Sequence, residues 1–460
     1  MTIKPHKKIK HIMPVRLITV SFFVIIVAGT LLLCLPISSR GGSVQFLDAL
    51  FVSTSATCVT GLTPFDTFTQ WTGFGQLVIL VLIQLGGLGL LTFTTGFSLL
   101  LRGKLGLRDL QIAKEHTSAD VMDIPRMIKM ILLVTLLCEA TGAVLLAIRF
   151  VPSFGMHGVW ISVFVSVSAY CNAGFDVLGF MQPNGSLIPY ASDPIVILTV
   201  SVLIIMGGLG FLVVSELYTH TKHRIQGEKR AFHNMTLHTK VVLMMTAILV
   251  VVGTLVIFAL EYGHLFQNMN WWEKISAALF QSVSARTAGF ASVNMDQMQP
   301  VTQCVTIILM FIGAAPNSTG GGIKTTTFVV LIATVFSVFH GKDDTTLFRR
   351  RVDKSVVYRS LTITLSALLL VMFTTTIIIF AESANPFITP LNALFEAVSA
   401  FGTVGLSANV TPCLSPLSKI AVIITMFIGR IGPVSMGVFF SIRNSRSGGT
   451  ILPEGKIIVG

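Results

Sequence analysis

Four short segments hold the residues whose types and spacing could do chemistry: Cys58-Val59-Thr60-Gly61-Leu62, Cys171-Asn172-Ala173-Gly174-Phe175, Arg286-Thr287-Ala288-Gly289-Phe290 and Gly402-Thr403-Val404-Gly405-Leu406. Their glycines stand 113, 115 and 116 residues apart. Glycine is what recurs, so the shared chemistry is that of the backbone. It reaches dihedral angles that let adjacent carbonyls face one axis, and it adds no side chain to block a path. Four such loops around one axis would make a ring of carbonyl oxygens able to replace the hydration shell of a cation. A single glycine of this kind would be an ordinary helix-packing residue. Four at one place in a repeating unit are not. The expected ring is Val59, Thr60 and Gly61; Asn172, Ala173 and Gly174; Thr287, Ala288 and Gly289; and Thr403, Val404 and Gly405.

The elements that must position these loops follow from hydropathy. Long apolar segments run at about 16–36, 76–101, 127–151, 194–217, 240–262, 302–340, 357–381 and 417–440, which predicts eight spans. Before each loop lies a shorter, half-apolar stretch, at about 45–57, 157–171, 271–285 and 390–402. A bilayer core of ~30 Å needs about 20 apolar residues in a helix, so these stretches enter and leave on one side. Their C-terminal ends carry partial negative charge and would point at the loops, which favours a cation. Small-residue clusters return after each loop, at Gly86-Gly87-Leu88-Gly89, Gly207-Gly208-Leu209-Gly210, Gly313-Ala314-Ala315 and Gly429-Arg430-Ile431-Gly432. The expected fold is an all-α integral membrane protein of four parallel repeats: outer helix, re-entrant pore helix, filter loop and inner helix. The repeats span 1–105, 106–225, 226–345 and 346–460 around one pseudo-fourfold pore.

Composition agrees with this. The 460 residues are 53% hydrophobic and only 11% charged, against about 25% charged for a soluble domain. One set of connections, with both termini, collects 25 of the 32 Lys and Arg. The positive-inside rule makes that face cytoplasmic and both termini cytoplasmic. The +12 net charge is then topology and membrane-lipid contact, and no nucleic-acid partner is expected. The opposite face holds Arg40, Arg149, Lys274, Arg286 and Lys419 against Asp48, Asp66, Asp176, Asp193, Glu261, Glu273, Asp296, Glu382 and Glu396. That excess of acids would either concentrate cations at an outer mouth or be a solvated surface. Six scattered cysteines without a CxxC pair argue against a disulfide framework or a metal site. No cleavable signal peptide is evident.

The third inner segment is too long for one crossing, and Gly313 through Thr325 interrupts it with Pro316 and three adjacent glycines. Such residues leave a helix, and irregular backbone at membrane depth must line protein or a water-filled path. Gly313, Ser318, Thr319, Gly320, Gly321, Gly322 and Lys324 are therefore expected in the permeation path below the ring, with Arg430 from the fourth inner segment pinning the loop across it. The alternative for Arg430 is a packing salt bridge to Glu139. Three glycines in a row predict a flexible loop with little side-chain packing. His116, His220, His223 and His233 fall in cytoplasmic connections, as solvated or subunit-contact residues.

Together these motifs, with Ser284-Ala285-Arg286-Thr287-Ala288-Gly289-Phe290 and Ala400-Phe401-Gly402-Thr403-Val404-Gly405-Leu406, give a chain that resembles the Trk/Ktr/HKT superfamily of potassium transporters over essentially its whole length. Within it the chain is similar to the Ktr-type membrane subunit, since there is no room for an extra N-terminal helix pair. The resemblance implies potassium uptake, with potassium as substrate at the filter and the loop from Gly313 to Lys324, with Arg430, as the gate. It further implies no covalent cofactor, a homodimer, and a KtrA-like cytosolic ring of nucleotide-binding regulatory subunits. It leaves sodium as an activator open. The competing function is a secondary cation transporter with alternating access, which parallel repeats and the lack of acids at the centre of the inner helices disfavour. An enzyme is not expected, for HExxH, GxSxG and paired intramembrane carboxylates are all missing.

Overall fold

Proline and capping residues punctuate the chain where the helices begin. Pro194, Pro300 and Pro416 occupy the first turn of three inner helices and Pro390 that of the fourth pore helix, where their missing N–H costs nothing. Asp193 accepts from the N–H groups of Ile195 and Val196, and Asn270 with Glu273 closes a capping box on the third pore helix.

The computed structural model describes residues 14–89, 124–225 and 235–432, apart from 343 and 349. The first repeat consists of outer helix 1 (Pro14–Leu33), pore helix 1 (Phe46–Thr57) and inner helix 1 (Gly73–Leu88). The second has outer helix 2 (Ile124–Phe154), pore helix 2 (Met156–Tyr170) and inner helix 2 (Pro194–Gly208), continued by Phe211–Ile225. The third has outer helix 3 (Leu237–Glu261), pore helix 3 (Trp271–Ser284) and an inner helix 3 in two halves, Pro300–Phe311 and Thr325–Phe339. The fourth has outer helix 4 (Lys354–Ala381), pore helix 4 (Pro390–Gly402) and inner helix 4 (Pro416–Ile431). Between the last two repeats, Thr346–Leu347 pairs antiparallel with Arg350–Arg351. The expected all-α membrane fold is what the chain adopts, with that one small hairpin added.

Among the described residues, three helices, 128–154, 237–261 and 354–381, are long and apolar enough to cross a bilayer, and the bent second inner pair makes a fourth when counted as one span. Their outward faces carry Val144, Leu255 and Phe380, each more than half exposed, a pattern that suits lipid rather than water. The core lies inward, on the pore helices, where Phe51, Phe164, Phe280 and Phe395 are fully buried.

The expected single span at 194–217 is corrected. The helix turns by 102° between Gly208 and Phe211, because Gly210 takes φ +87°, which an α-helix cannot continue. Phe211 N–H instead donates to the carbonyl of Asn317 at 2.9 Å. Inner helices 1 and 4 also end on left-handed glycines, Gly89 and Gly432. The expected continuations to 101 and 440, and the repeat boundary at 105/106, lie outside the described residues.

Candidate functional site

Each pore helix runs into its loop through a non-glycine residue forced into the left-handed region: Val59, Asn172, Thr287 and Thr403, at φ between 49° and 73°. Two residues on, Gly61, Gly174, Gly289 and Gly405 do the same at φ between 69° and 94°. The alternation of backbone hand aligns successive carbonyls on one side of the strand. A β-branched residue pays a steric penalty in this region, so the surroundings must hold it. The hold comes from a serine that the sequence reading did not single out. Ser55 and Ser399 each accept on Oγ from the filter glycine's N–H, at 3.0 Å for Gly61 and 3.1 Å for Gly405. The carbonyls of Ser55, Ser168, Ser284 and Ser399 accept from Thr60, Ala173, Ala288 and Val404 at 2.8 to 3.0 Å. The signal was present, since Ser-Ala recurs before all four loops.

The loops close on one another in chain order. A Cβ added to Gly61 would strike the carbonyl oxygen of Ala173; one on Gly174, that of Ala288; one on Gly289, that of Val404; and one on Gly405, that of Thr60. The last contact returns to the first repeat, so the four loops form a ring about a single axis. Between the second and third loops, the Asn172 amide oxygen accepts from Thr287 Oγ1 at 3.2 Å. Glycines also bring inner helices against the pore helices. Side chains at Gly86, Gly207 and Gly429 would meet the carbonyls of Thr57, Tyr170 and Phe401 at the pore-helix ends.

Outside the ring lies an open mouth lined by Thr63, Asp66, Asp176, Ala291, Ser407 and Asn409 among others. Most of the outer carboxylates are committed elsewhere. Asp48 pairs with Lys419 at 2.6 Å and Asp193 with Arg149 at 2.5 Å. Glu382 binds Ser415 and Ser418 at the start of inner helix 4, and Glu261 accepts from Gln299 N–H. Only Asp66 and Asp176, among the acids expected on that face, line the mouth. Burial alone raises the Glu382 carboxyl, but the bonds from Ser415 and Ser418 outweigh it and leave it below the ordinary value. Arg286 is also corrected. It is not on the outer face but buried at the C-terminal end of pore helix 3, where Nη2 donates to Thr246 Oγ1 at 3.4 Å.

Beneath the ring, the interruption of inner helix 3 crosses to the second and fourth repeats. Its two ends meet: Gly313 N–H donates to Ile323 O at 2.9 Å, in an isolated parallel bridge of Ile312 with Ile323. Ala315 and Thr319 N–H donate to the carbonyls of Gly208 and Gly207. Ser318 Oγ donates to Ala315 O at 2.6 Å, and Gly321 N–H donates to Thr403 Oγ1 in the ring itself at 3.0 Å. Gly320 and Gly321 are buried, against Thr287 and Thr403. The expectation of a loosely held loop is therefore corrected: backbone hydrogen bonds take the place of side-chain packing. Lys324 Nζ donates to Gly320 O at 2.6 Å. Arg430 donates through Nη1 to Thr319 O and through Nη2 to Gly86 O, the latter at 2.5 Å. Glu139 binds Gln84 Nε2 at 3.2 Å instead of Arg430. His220 is half-buried beside Glu216 at 3.6 Å, while His116 and His233 and the His223 side chain lie outside the described residues.

Both the sequence and the fold match proteins of a known family. A family model described as TrkH, a cation transport protein, matches residues 4–447. The chain belongs to the TrkH family. Among relatives of this TrkH-family chain, the Ktr system potassium uptake protein B of Bacillus subtilis is 36% identical, with all of both chains covered. The potassium/sodium uptake protein NtpJ of Enterococcus hirae is 35% identical, again over both whole chains. The TrkH potassium transporter of Vibrio parahaemolyticus shares the fold, with a TM-score of 0.73 at 16% identity, covering 95% of this chain and 87% of that one. TrkH-family membership makes this a multi-pass membrane ion transporter rather than an enzyme.

Proposed function

We propose that the chain takes up potassium across the cytoplasmic membrane through the ring of filter loops, with the loop at 313–325 as its gate. The supporting observation is the closure of the ring, each filter glycine resting against a carbonyl of the next repeat and Gly405 against Thr60. Carbonyl oxygens at fixed spacing replace the water around a cation, as they do in potassium-selective filters. In this reading, Val59 to Gly61 and their counterparts in the other repeats bind the ion. Lys324 and Arg430 hold Gly320 and Thr319 across the path until the loop is drawn aside. The four repeats divide at 105/106, 225/226 and 345/346, and the basic face with both termini is cytoplasmic.

The driving force is sufficient. At ~100 mV, inside negative, a monovalent cation gains ~2.3 kcal/mol, enough to hold roughly a 40-fold gradient. Regulation by a cytosolic nucleotide-binding ring, activation by sodium and assembly as a homodimer extend the same reading; a full-length relative named as one protein of a Ktr system suits a multi-component assembly, and one named for potassium/sodium uptake suits a role for sodium. The test is growth of a potassium-uptake-deficient bacterium at low potassium, carrying this chain with and without a matching cytosolic subunit. Rescue in potassium-limited medium is expected, stronger with the subunit. No rescue by a membrane-inserted chain in either case would overturn the reading.

A further inference from the structure

Three residues before the Ser-Ala pair that leads into each loop, pore helices 1 and 2 carry Val52 and Val165 and pore helix 3 carries Gln281, all fully buried. Pore helix 4 carries Glu396 at that position, and it too is fully buried. In the first two repeats an apolar side chain satisfies the packing there, in the third Gln281 Nε2 reaches Met295 Sδ at 3.1 Å, and a carboxyl is expensive to remove from water. Among the described residues no Lys or Arg forms an ion pair with Glu396. Its compensation is two hydroxyls: Ser407 Oγ donates to Oε2 at 2.8 Å, and Thr411 Oγ1 donates to Oε1. Those hydroxyls belong to the segment just beyond Gly405. Ser407 Oγ in turn accepts from the N–H groups of Val410 and Thr411, at 3.2 and 3.4 Å, closing a turn in which Asn409 takes φ +60°. Ser407, Asn409 and Thr411 all line the mouth.

We propose that Glu396 is a positioning residue for the fourth filter loop. It anchors Ser407 and Thr411 and thereby sets the placement of Gly405 against Thr60, the contact that closes the ring. Glu396 is fully buried and acts at a distance from the path; it fixes the outer end of one quarter of the ring, whose carbonyls replace the ion's hydration shell. The other three repeats carry Val52, Val165 and Gln281 at this depth, so the fourth is the point where ring geometry depends on a buried carboxylate. The inference rests on the uptake reading above.

The test uses the full-length chain in proteoliposomes, measuring potassium and sodium uptake for the parent, Glu396→Gln, the pair Ser407→Ala with Thr411→Val, and the triple variant. Glu396→Gln should lower the potassium-to-sodium ratio about three- to tenfold and raise KM for potassium, with a smaller change in maximal rate. The hydroxyl pair should give the same loss, and the triple variant should be no worse than either, since all three break one linkage. An unchanged ratio in Glu396→Gln, or losses that multiply in the triple variant, would overturn the inference. If Glu396→Gln does not assemble, the hydroxyl pair decides: a parental ratio there overturns it equally. A parent that carried neither ion would remove the uptake reading itself, whereas a selective parent with an equally selective Glu396→Gln removes this inference alone.

Discussion

Arg430 and Thr319, 111 residues apart in the chain, are joined by a hydrogen bond from the guanidinium to a backbone carbonyl beneath the filter ring. The same side chain holds Gly86 O of inner helix 1, so one cation ties the 313–325 loop to two other repeats. A hydrogen bond to a charged donor contributes about 1.5–3 kcal/mol. Arg430→Ala should therefore raise basal potassium flux in vesicles by about tenfold or more. A fall in flux by a normally folded variant would assign Arg430 to conduction or structure instead.

Gly61→Ser should weaken discrimination of potassium against sodium. The residue sits at φ +93°, and a side chain there would strike Ala173 O in the next loop. The left-handed conformation alone costs about 1–2 kcal/mol for a non-glycine residue, so the flux ratio should fall by about tenfold. Competitive uptake of the two ions measures it, and a ratio equal to the parent's would remove Gly61 from the filter.

Deletion of residues 314–322 should speed uptake and make it less dependent on a cytosolic subunit, with selectivity nearly intact. The flanking residues Gly313 and Ile323 are already hydrogen-bonded to each other at 2.9 Å, so the cut ends lie close enough to rejoin. The deletion also strips Lys324 and Arg430 of their loop carbonyls, Gly320 O and Thr319 O. Uptake in cells with and without the subunit is the measurement. Parental rate together with parental dependence would make the loop a packing feature.

Glu382→Gln should lower the melting temperature of the detergent-solubilised protein at pH 7 by about 1–3 °C, the size of a lost helix cap. Its folded pKa lies below the ordinary 4.5. The parent's stabilisation is thus present above that range and fades as pH falls through the folded value. The Gln variant should lack this part of the acid limb. Coincident acid limbs in both proteins would mean that Glu382 does not couple to folding.

The ring was legible because its demands are local. A left-handed turn beside a neighbouring carbonyl accepts only glycine, and that requirement is printed four times in the chain. The pore helices were legible for a similar reason, being apolar stretches too short to span. Partners that arrive from distant repeats were not legible. Gly210 reads as one more packing glycine until Asn317 O supplies the bond its helix lacks. The 313–325 loop reads as loose because glycine carries no side chain, although several of its backbone groups are bonded to distant repeats. Arg286 was assigned to the outer surface by charge alone. Its burial follows from its place directly before Thr287, where the pore helix gives way to the filter at membrane depth.

The contact of Gly405 with Thr60 also bears on how the molecule is made. Arg430 and Gly86 are 344 residues apart, and Lys419 and Asp48 are 371 apart, so the seam between first and last repeats is sealed only by the end of the chain. At about 5–20 residues per second of synthesis, the first repeat waits roughly 17–70 s for the residues that complete it. Through that interval three quarters of a pore stand open along one side within the bilayer. A nascent chain stalled before the fourth repeat would offer lipid a polar cleft of filter carbonyls, which makes that repeat the natural checkpoint for quality control during insertion.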